Sequence, residues 1–315
     1  MSNEIKIAFI GAGKIAREHL KVFNDIAGVK LSGIYSRTAS KAEQLSSEFK
    51  IQNVCKSIKE LYKTTNADLV VVTVNVESML EVGLECMKYP WTSLLEKPAG
   101  LNLTEAEQLL EESTIKKSKV YTVLNRRFYS STQSVLSDIK KFDAKRYIHV
   151  TDNQNIEAAR ALGFNEKVLD YWMYANSIHL IDYFKVFGRG KITGVAPLIK
   201  WSGRCSRVVL IKLEFDNGDI GLYEGIWQGP GRWSVEINTP ERRWEMKPLE
   251  EAAFQNSNER SLNKFEISES DKKFKPGLRL QAEEIIKAVK GGTTKAVTLE
   301  DSLETMKLIK MVFGV

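Results

Sequence analysis

Hydrophobic residues in the first 125 positions form short runs that alternate with amphipathic stretches. Residues 5–10 (IKIAFI) and 67–74 (ADLVVVTV) have the length and β-branched content of buried strands, and residues 17–26 have the pattern of an amphipathic helix. Further strands are expected within 29–37 and 119–128, and residues 92–110 supply a strand and then a helix capped by Thr104. Alternating strands and helices predict an α/β fold with a doubly wound parallel sheet.

From about residue 126 the pattern changes to consecutive hairpins. Strands are expected at 144–154 and within 207–227 and 233–249, and helices at 176–187, where Gly188 ends the helix, and at 274–289. A last helix, at about 298–313 with Thr298 as its cap, is expected to pack back on the first domain. The prediction is two domains, 1–125 and 126–315, the second an α+β domain on a largely antiparallel open sheet.

The composition adds few constraints on function. The chain of 315 residues has a net charge of +6, but its Lys and Arg are scattered among 40 acidic residues, without an RNA-binding aromatic motif or zinc-ligand spacing. This favours a solvated basic surface over a nucleic-acid partner, although the charge also suits an anionic cofactor or substrate. Cys55, Cys86 and Cys205 are odd in number and form no C-x-x-C pair, so neither a disulfide framework nor a metal site is expected.

The first residues run directly into a strand, with no signal peptide, and no stretch approaches the ~18 apolar residues of a membrane span. A cytoplasmic protein without a membrane partner is therefore expected.

The segment GAGKIA, residues 11–16, follows the first strand and opens the first helix. Gly11 permits the tight turn, Gly13 lets a pyrophosphate approach the backbone, and Ala16 lets the helix pack on the sheet. Lys14 and Ile15 begin the helix, whose N-terminus presents free N–H groups to phosphates. The context favours a dinucleotide-binding Rossmann domain over a structural glycine turn.

The second strand ends at "SRTASK", where NAD-binding domains carry an acidic residue. Arg37 can face a 2′-phosphate, Ser36 and Thr38 can donate hydrogen bonds, and Lys41 adds charge, which favours NADP over NAD. The alternative is that Arg37 and Lys41 are merely solvated. Further cofactor-binding candidates lie at or just past other strand ends: Thr73, Asn75, Glu96, Lys97 and Asn125.

Together with GAGKIA, the motifs EKP at 96–98, NRRFY at 125–129 and HLID at 179–182 resemble the Gfo/Idh/MocA family of glucose–fructose oxidoreductase, inositol dehydrogenase and relatives. The resemblance implies NAD(P)-dependent oxidation or reduction at a hydroxyl or carbonyl carbon of a sugar, inositol or nucleotide sugar. It also implies that Lys97 lies in the active site beside the nicotinamide, and that His179 is the second site group.

The chain departs from the family where D-x-G-x-H is common before the site helix. Ala175 occupies the aspartate position and Ser177 the glycine position, so Asn176 is the nearest polar residue to His179. Histidine titrates near neutrality, and lysine can stabilise negative charge on a reacting oxygen. The catalytic candidates are therefore Lys97, His179 and Asn176. The alternatives are a buried core histidine and a solvated lysine.

Candidate substrate-binding residues cluster in the second domain. Aromatic faces stack on sugar rings and arginines bind phosphates or carboxylates, although the aromatic stretch also suits a sheet face buried against another surface. The resemblance implies homo-oligomers formed through this sheet. The candidates are Arg126, Arg127, Tyr174, Asp182 (also a helix-supporting residue), Trp227 and Arg232.

Three hypotheses about function remain open. The first is a sugar or nucleotide-sugar dehydrogenase or reductase that prefers NADP and acts in surface-polysaccharide or sugar biosynthesis. The second, motivated by Ala175, is a cofactor-binding sensor or scaffold without turnover. The third is a glycoside hydrolase that uses bound NAD transiently.

Overall fold

The computed structural model describes residues 4–315, which divide into two compact units. The first contains the described residues up to Asn125 together with Lys273–Leu303, and the second contains Arg126–Lys272 and Glu304–Val315. Residues 126–315 are thus not one continuous domain as the sequence suggested. Apolar side chains of the 278–286 segment join the core of the first unit, which explains why this part of the chain returns to it.

The first unit is built on a parallel sheet. Its strands are β1 (Ile5–Ile10), β2 (Val29–Tyr35), β3 (Val54–Cys55), β4 (Leu69–Val72), β5 (Thr92–Leu95) and β6 (Val120–Thr122). They lie in the order β3-β2-β1-β4-β5-β6, and every neighbouring pair is parallel. The predicted doubly wound sheet is confirmed.

Both faces of this sheet are buried, which follows from the alternation of side chains along a strand. In β1, Ile7 and Phe9 belong to one hydrophobic cluster, whereas Ala8 and Ile10 belong to another. All four side chains are at most 1% exposed. Continuous apolar runs are therefore the expected sequence of such strands.

Twelve α-helices lie within residues 4–315. They are α1 (Lys14–Asn24), α2 (Ala39–Phe49), α3 (Ile58–Thr65), α4 (Met79–Cys86), α5 (Leu103–Lys116), α6 (Ser130–Ile139), α7 (Ile156–Ala161), α8 (Glu166–Asp170), α9 (Ile178–Phe187), α10 (Glu269–Lys273), α11 (Leu278–Val289) and α12 (Leu299–Phe313). No helix in residues 4–315 is long and apolar enough to cross a membrane.

Local hydrogen bonds set the helix starts. The predicted Thr104 cap of α5 is wrong, because Asn102 is the N-cap and its side chain accepts from the backbone N–H of Glu105. The predicted Thr298 cap of α12 is confirmed by a bond of 3.1 Å from the N–H of Asp301 to its hydroxyl. The chain also ends α9 at Gly188, as predicted.

The second unit contains an eight-stranded sheet. Its strands are β7 (Tyr147–Gln154), β8 (Ile192–Ile199), β9 (Val208–Phe215), β10 (Ile220–Trp227), β11 (Ser234–Asn238), β12 (Arg242–Met246), β13 (Ala252–Asn256) and β14 (Asn263–Lys264). Their order is β14-β13-β12-β11-β7-β10-β9-β8, and the β7–β10 pair alone is parallel. The largely antiparallel sheet is thus confirmed, with one parallel pair at its centre.

The helix α9 is preceded by a π-helical turn, Met173–Ser177. The helix predicted from residue 176 therefore begins as α-helix only at Ile178, and Asn176 lies in the wider turn. Eight of the ten residues of α9 are buried, including His179 and Asp182. π-Helical turns recur at functional sites, so this turn is of interest for the chemistry.

Candidate functional site

Three neighbouring strands of the first unit, β2, β1 and β4, end at the same edge of the sheet. The residues that follow them include Ser36, Gly11 and Thr73. The backbone N–H of Thr73 donates to the carbonyl oxygen of Ile10 at 2.8 Å, which holds the ends of β1 and β4 together. Ligands of open parallel sheets bind beyond such carboxyl ends.

The turn after β1 requires glycine at position 11. Gly11 has a φ of +101°, and a Cβ there would lie 2.5 Å from the carbonyl oxygen of Thr73. By contrast, a Cβ at Gly13 would meet nothing within 4 Å. Gly13 is the N-cap of α1 and has no side chain that could cap the first N–H groups, so these groups remain available to a ligand.

The first turn of α1 places the remaining residues of the glycine motif. Lys14 is exposed, Ile15 is partly buried and Ala16 is completely buried in the core. The structure therefore fits the motif's requirement for a small residue at position 16, while Lys14 carries a positive charge at the start of the helix.

A cleft of about 770 Å³ opens at this edge of the first unit. Its size falls within the range of about 300–1,000 Å³ that is typical of small-molecule sites. Eight predicted cofactor-binding residues line it: Gly11, Gly13, Ser36, Arg37, Thr38, Lys41, Thr73 and Asn75. The structure thus brings together residues that lie far apart along the chain.

The end of the cleft beside β2 is cationic. Arg37 and Lys41 are exposed, and the backbone N–H of Thr38 donates to the Ser36 hydroxyl at 3.2 Å. Thr38 is the N-cap of α2 but makes no side-chain cap bond. Two cations beside a helix N-terminus form a favourable environment for a phosphate group.

Glu96 is a structural residue of this unit. Its Oε1 lies 2.8 Å from Nε2 of His19, and its Oε2 accepts from the backbone N–H of Lys97. His19 and Glu96 are 2% and 8% exposed, so the pair joins α1 to the end of β5 inside the unit. Among the described residues, Glu96 is not one of those that line the cleft. His19 was not among the predicted site residues, because its only signal in the sequence is its place on the buried face of α1.

Lys97 follows directly after Glu96 and lies at a non-helical strand end, as its neighbour Pro98 implied. It is the one residue of the 91–100 segment that is not buried. The partial burial of Lys97 therefore disfavours the alternative that it is a solvated surface lysine. Asn125, in contrast, is buried, and its Nδ2 donates to the carbonyl oxygen of Pro276 at 2.9 Å, which is a structural role.

In the second unit, His179 is 4% exposed on α9. The side chain of Asn176 is partly buried, and its Nδ2 donates to Oε1 of Gln154 at 2.8 Å. Asn176 therefore has a partner, Gln154, that its sequence neighbourhood does not contain. Tyr174 in the same π-helical turn is 2% exposed, which disfavours direct contact with a substrate. The remaining histidine, His149, lies 2.9 Å from Glu224.

Arg127 and Asp182 bind each other. The Arg127 guanidinium donates to both carboxylate oxygens of Asp182, at 2.6 and 2.7 Å, and the Thr305 hydroxyl donates at 2.7 Å. Burial disfavours the charged carboxylate, but the charge and hydrogen bonds of Arg127 outweigh it, so the pKa of Asp182 is lowered. This ion pair supports the helix, as the sequence also suggested for Asp182, and a contact of Asp182 with a substrate stays a prediction.

Arg126 lies over the ring of Trp233, with its guanidinium carbon 4.6 Å from the ring centroid. Arg232 is exposed on the neighbouring loop, so both arginines can meet a ligand. Trp227 is 1% exposed and packs against Trp201 and Phe313. Its ring therefore belongs to the core of the second unit, and a contact of Trp227 with a substrate stays a prediction.

The comparisons with known proteins agree with this architecture. Residues 5–124 match the sequence model of the Gfo/Idh/MocA family, which is described as an oxidoreductase family with an NAD-binding Rossmann fold. The chain is 23% identical over 195 residues to 4-carboxy-2-hydroxymuconate-6-semialdehyde dehydrogenase of Sphingobium sp., and this alignment covers 60% of each chain. It is 26% identical over 124 residues to myo-inositol 2-dehydrogenase of Thermotoga maritima, covering 39% of this chain and 37% of that protein.

The two alignments thus span less than two thirds of these relatives. In three dimensions, UDP-N-acetylglucosamine 3-dehydrogenase from Acidithiobacillus ferrooxidans is similar with a TM-score of 0.78 at 16% identity, covering 98% of this chain and 96% of that one. At this identity the likeness concerns the fold. Taken with the match of residues 5–124, the first unit is similar in sequence to the NAD-binding Rossmann domain of Gfo/Idh/MocA oxidoreductases, and the whole chain shares its fold with this dehydrogenase.

Proposed function

We propose that the protein is an NAD(P)-dependent oxidoreductase that transfers a hydride between nicotinamide and a hydroxyl or carbonyl carbon of a sugar or nucleotide sugar. The observation that carries the proposal is the turn at Gly11, where no Cβ fits beside Thr73, at the edge of a cleft of about 770 Å³. A family match over residues 5–124 supports the same cofactor class.

The residues around the cleft fit a dinucleotide. The open space at Gly13 and the uncapped start of α1 suit a pyrophosphate, and Arg37 and Lys41 suit a 2′-phosphate, so we infer a preference for NADP over NAD. Bound NAD(P) supplies the hydride acceptor or donor. The part of this chain is to bind and orient it through residues of the first unit.

Proton transfer is assigned to Lys97 and His179. A hydroxyl that loses hydride must also lose its proton, and imidazole is suited to this exchange near neutral pH. His179 belongs to the HLID motif and lies at the start of α9, directly after the π-helical turn that contains Asn176. Lys97 would stabilise negative charge on the reacting oxygen.

A polyhydroxylated substrate is supported by the relatives, one named for myo-inositol and one for UDP-N-acetylglucosamine. Arg126 and Arg232 offer charges to an anionic group, which favours a nucleotide sugar. Arg127 contributes less, because Asp182 already neutralises it.

We also propose a homo-oligomer formed through the sheet of the second unit. Large apolar side chains remain exposed on its strands, with Leu198 at 60%, Ile199 at 46% and Ile220 at 41%. Such residues on one sheet are typical of a surface that another chain covers. Sedimentation of the purified protein tests this, and a monomer at all concentrations would contradict it.

The first experiment is a fluorescence titration with NADPH and with NADH. Tighter binding of NADPH is expected, and binding of neither overturns the proposed function. Turnover is then followed at the nicotinamide absorbance band with UDP-N-acetylglucosamine and with myo-inositol. Cofactor binding without redox change across sugars would favour the second candidate, a sensor without turnover, for which Ala175 in the place of an acid is the specific observation.

A further inference from the structure

A buried polar network lies beside the π-helical turn of the second unit. Asp152 and Gln154 are two residues apart on β7, so their side chains point to the same face of the sheet. They are 0% and 2% exposed. Buried polar groups are costly unless they are hydrogen-bonded, so the partners of these two side chains define what the network does.

Gln154 is the centre of the network because all of its amide is engaged. Its Nε2 donates to Oδ1 of Asp152 at 2.5 Å and lies 3.4 Å from the Ser177 hydroxyl. Its Oε1 accepts from Nε1 of Trp172 at 2.7 Å and from Nδ2 of Asn176 at 2.8 Å. One side chain on the sheet therefore contacts the chain before, within and at the end of the π-helical turn.

The chemistry of the partners fixes the direction of each bond. An indole N–H can only donate, so the oxygen of the Gln154 amide must face Trp172. The nitrogen must then face Asp152, whose carboxylate accepts. Because the same Gln154 oxygen faces Asn176, Asn176 must present its NH₂ group to it. The amide of Asn176 thus cannot be reversed without losing a bond.

Asp152 fixes the far end of the network. Its Oδ2 accepts from the Tyr223 hydroxyl at 2.8 Å, and Tyr223 is itself 0% exposed. Burial raises the pKa of Asp152, while hydrogen bonds from Ser177, Tyr223 and Gln154 oppose that rise. The carboxyl group is therefore placed to hold Gln154 and has no route to solvent in this structure.

We propose that Gln154 is a positioning residue: held by Asp152 and Trp172, it turns Asn176 so that the carbonyl oxygen of Asn176 is the end offered to a substrate. Position 176 then accepts a hydrogen bond from a substrate hydroxyl and disfavours a substrate carbonyl or carboxylate at the same place. The part of this inference that concerns the substrate rests on the proposed function, whereas the orientation of Asn176 does not.

The orientation is tested by the nitrogen–proton resonances of the Trp172 indole and the Asn176 amide, assigned with Trp172→Phe and Asn176→Ala. In Gln154→Leu both resonances should move away from their hydrogen-bonded positions and exchange faster with solvent. The indole of Trp244, which donates to Asp138 at 2.8 Å, serves as an internal control and should not move. Unchanged Trp172 and Asn176 resonances overturn the proposal, whether or not any sugar is turned over.

The matched control is Gln281→Leu. Gln281 is also a buried glutamine, 1% exposed, and its Nε2 donates to the carbonyl oxygen of Thr122 in the first unit. This variant should lose stability without shifting the Asn176 resonance. If Gln154→Leu does not fold, Trp172→Phe replaces it, because that variant keeps an aromatic ring at this buried position and removes the N–H that fixes the oxygen of Gln154.

Kinetics distinguish positioning from a structural role. With UDP-N-acetylglucosamine or myo-inositol, whichever the wild type oxidises, Gln154→Leu should raise KM about tenfold and change kcat little, as expected for one lost hydrogen bond. Combined with Asn176→Ala it should add nothing further. Equal and additive losses in both parameters, as from general destabilisation, overturn the proposal. If neither sugar is oxidised but the resonances move, the proposed function fails and the positioning of Asn176 stands.

Discussion

Nε2 of His19 lies 2.8 Å from Oε1 of Glu96, and both side chains are buried. We expect Glu96→Ala to leave the His19 imidazole without this partner and to lower the free energy of unfolding by about 1–3 kcal/mol. Denaturant titration measures the loss. The matched control is Glu48→Ala, since Glu48 also pairs with a residue of α1, Arg17, at 3.1 Å but is exposed. That variant should lose less than about 1 kcal/mol, and equal losses would contradict the structural role of Glu96.

The second prediction concerns the glycine turn. A Cβ at Gly11 would lie 2.5 Å from the Thr73 carbonyl oxygen, which is backbone and cannot move aside easily. Gly11→Ala should therefore lower the thermal midpoint and abolish NAD(P)H binding. Gly28→Ala is the control, because Gly28 also has a positive φ, +77°, but a Cβ there meets nothing within 4 Å. It should cost only about 1 kcal/mol of backbone strain and leave the cofactor affinity unchanged.

The third prediction concerns the choice of cofactor. Arg37→Asp places a negative charge where we propose a 2′-phosphate, so NADPH affinity should fall about tenfold or more while NADH affinity is kept or increases. Titration with both nucleotides gives the ratio. Lys59→Ala is the control, since Lys59 lines the same cleft but lies on another helix. It should affect both cofactors alike. An unchanged ratio in Arg37→Asp would remove the argument for NADP.

Much of the fold could be predicted because its determinants are local. The apolar run of β1 and the glycines that follow it lie within about a dozen positions, so the strand and its turn can be predicted without the rest of the chain. The hairpin of β9 and β10 could also be predicted, because Asn217 and Gly218 between the two apolar strands are typical turn residues. In the structure Gly218 has the positive φ, +84°, that such a turn requires.

The relationships that were missed are non-local. Glu96 and His19 are 77 positions apart, and Gln154 and Asn176 are 22 apart, so no window of sequence contains either pair. The parallel pairing of β7 with β10 likewise depends on the whole sheet. The burial of Trp227 could not be predicted from the aromatic-rich segment around it, because an aromatic residue suits a hydrophobic core and a binding face equally.

The fourth prediction concerns proton transfer. His179→Ala and Lys97→Ala should each lower turnover by about 100-fold or more, the usual contribution of acid–base catalysis, while NAD(P)H affinity survives. Steady-state kinetics and cofactor titration check this separately for each residue. His149→Ala is the control, because His149 is paired with Glu224 on the sheet of the second unit. Near-normal turnover in both site variants would refute their assignment.

The last prediction concerns acid stability and follows from Asp182. The pKa of this buried carboxyl is lowered because Arg127 outweighs the cost of burial. A folded-state pKa below the unfolded value of about 3.9 means that the unfolded chain binds the proton more readily. The pair therefore stabilises the protein above that pH, and its contribution disappears as the pH falls through the folded-state pKa.

Arg127→Leu should remove about 3 kcal/mol at neutral pH by leaving a buried charge unpaired, and it should weaken the loss of stability on acidification. Unfolding measured from neutral pH to about pH 3 tests this. In the control Arg243→Leu, which breaks partly exposed pairs with Glu236 and Glu245, the pH profile should stay close to that of the wild type. If Arg127→Leu had the same pH dependence of stability as the wild type, Asp182 would not be the group whose titration destabilises the protein in acid.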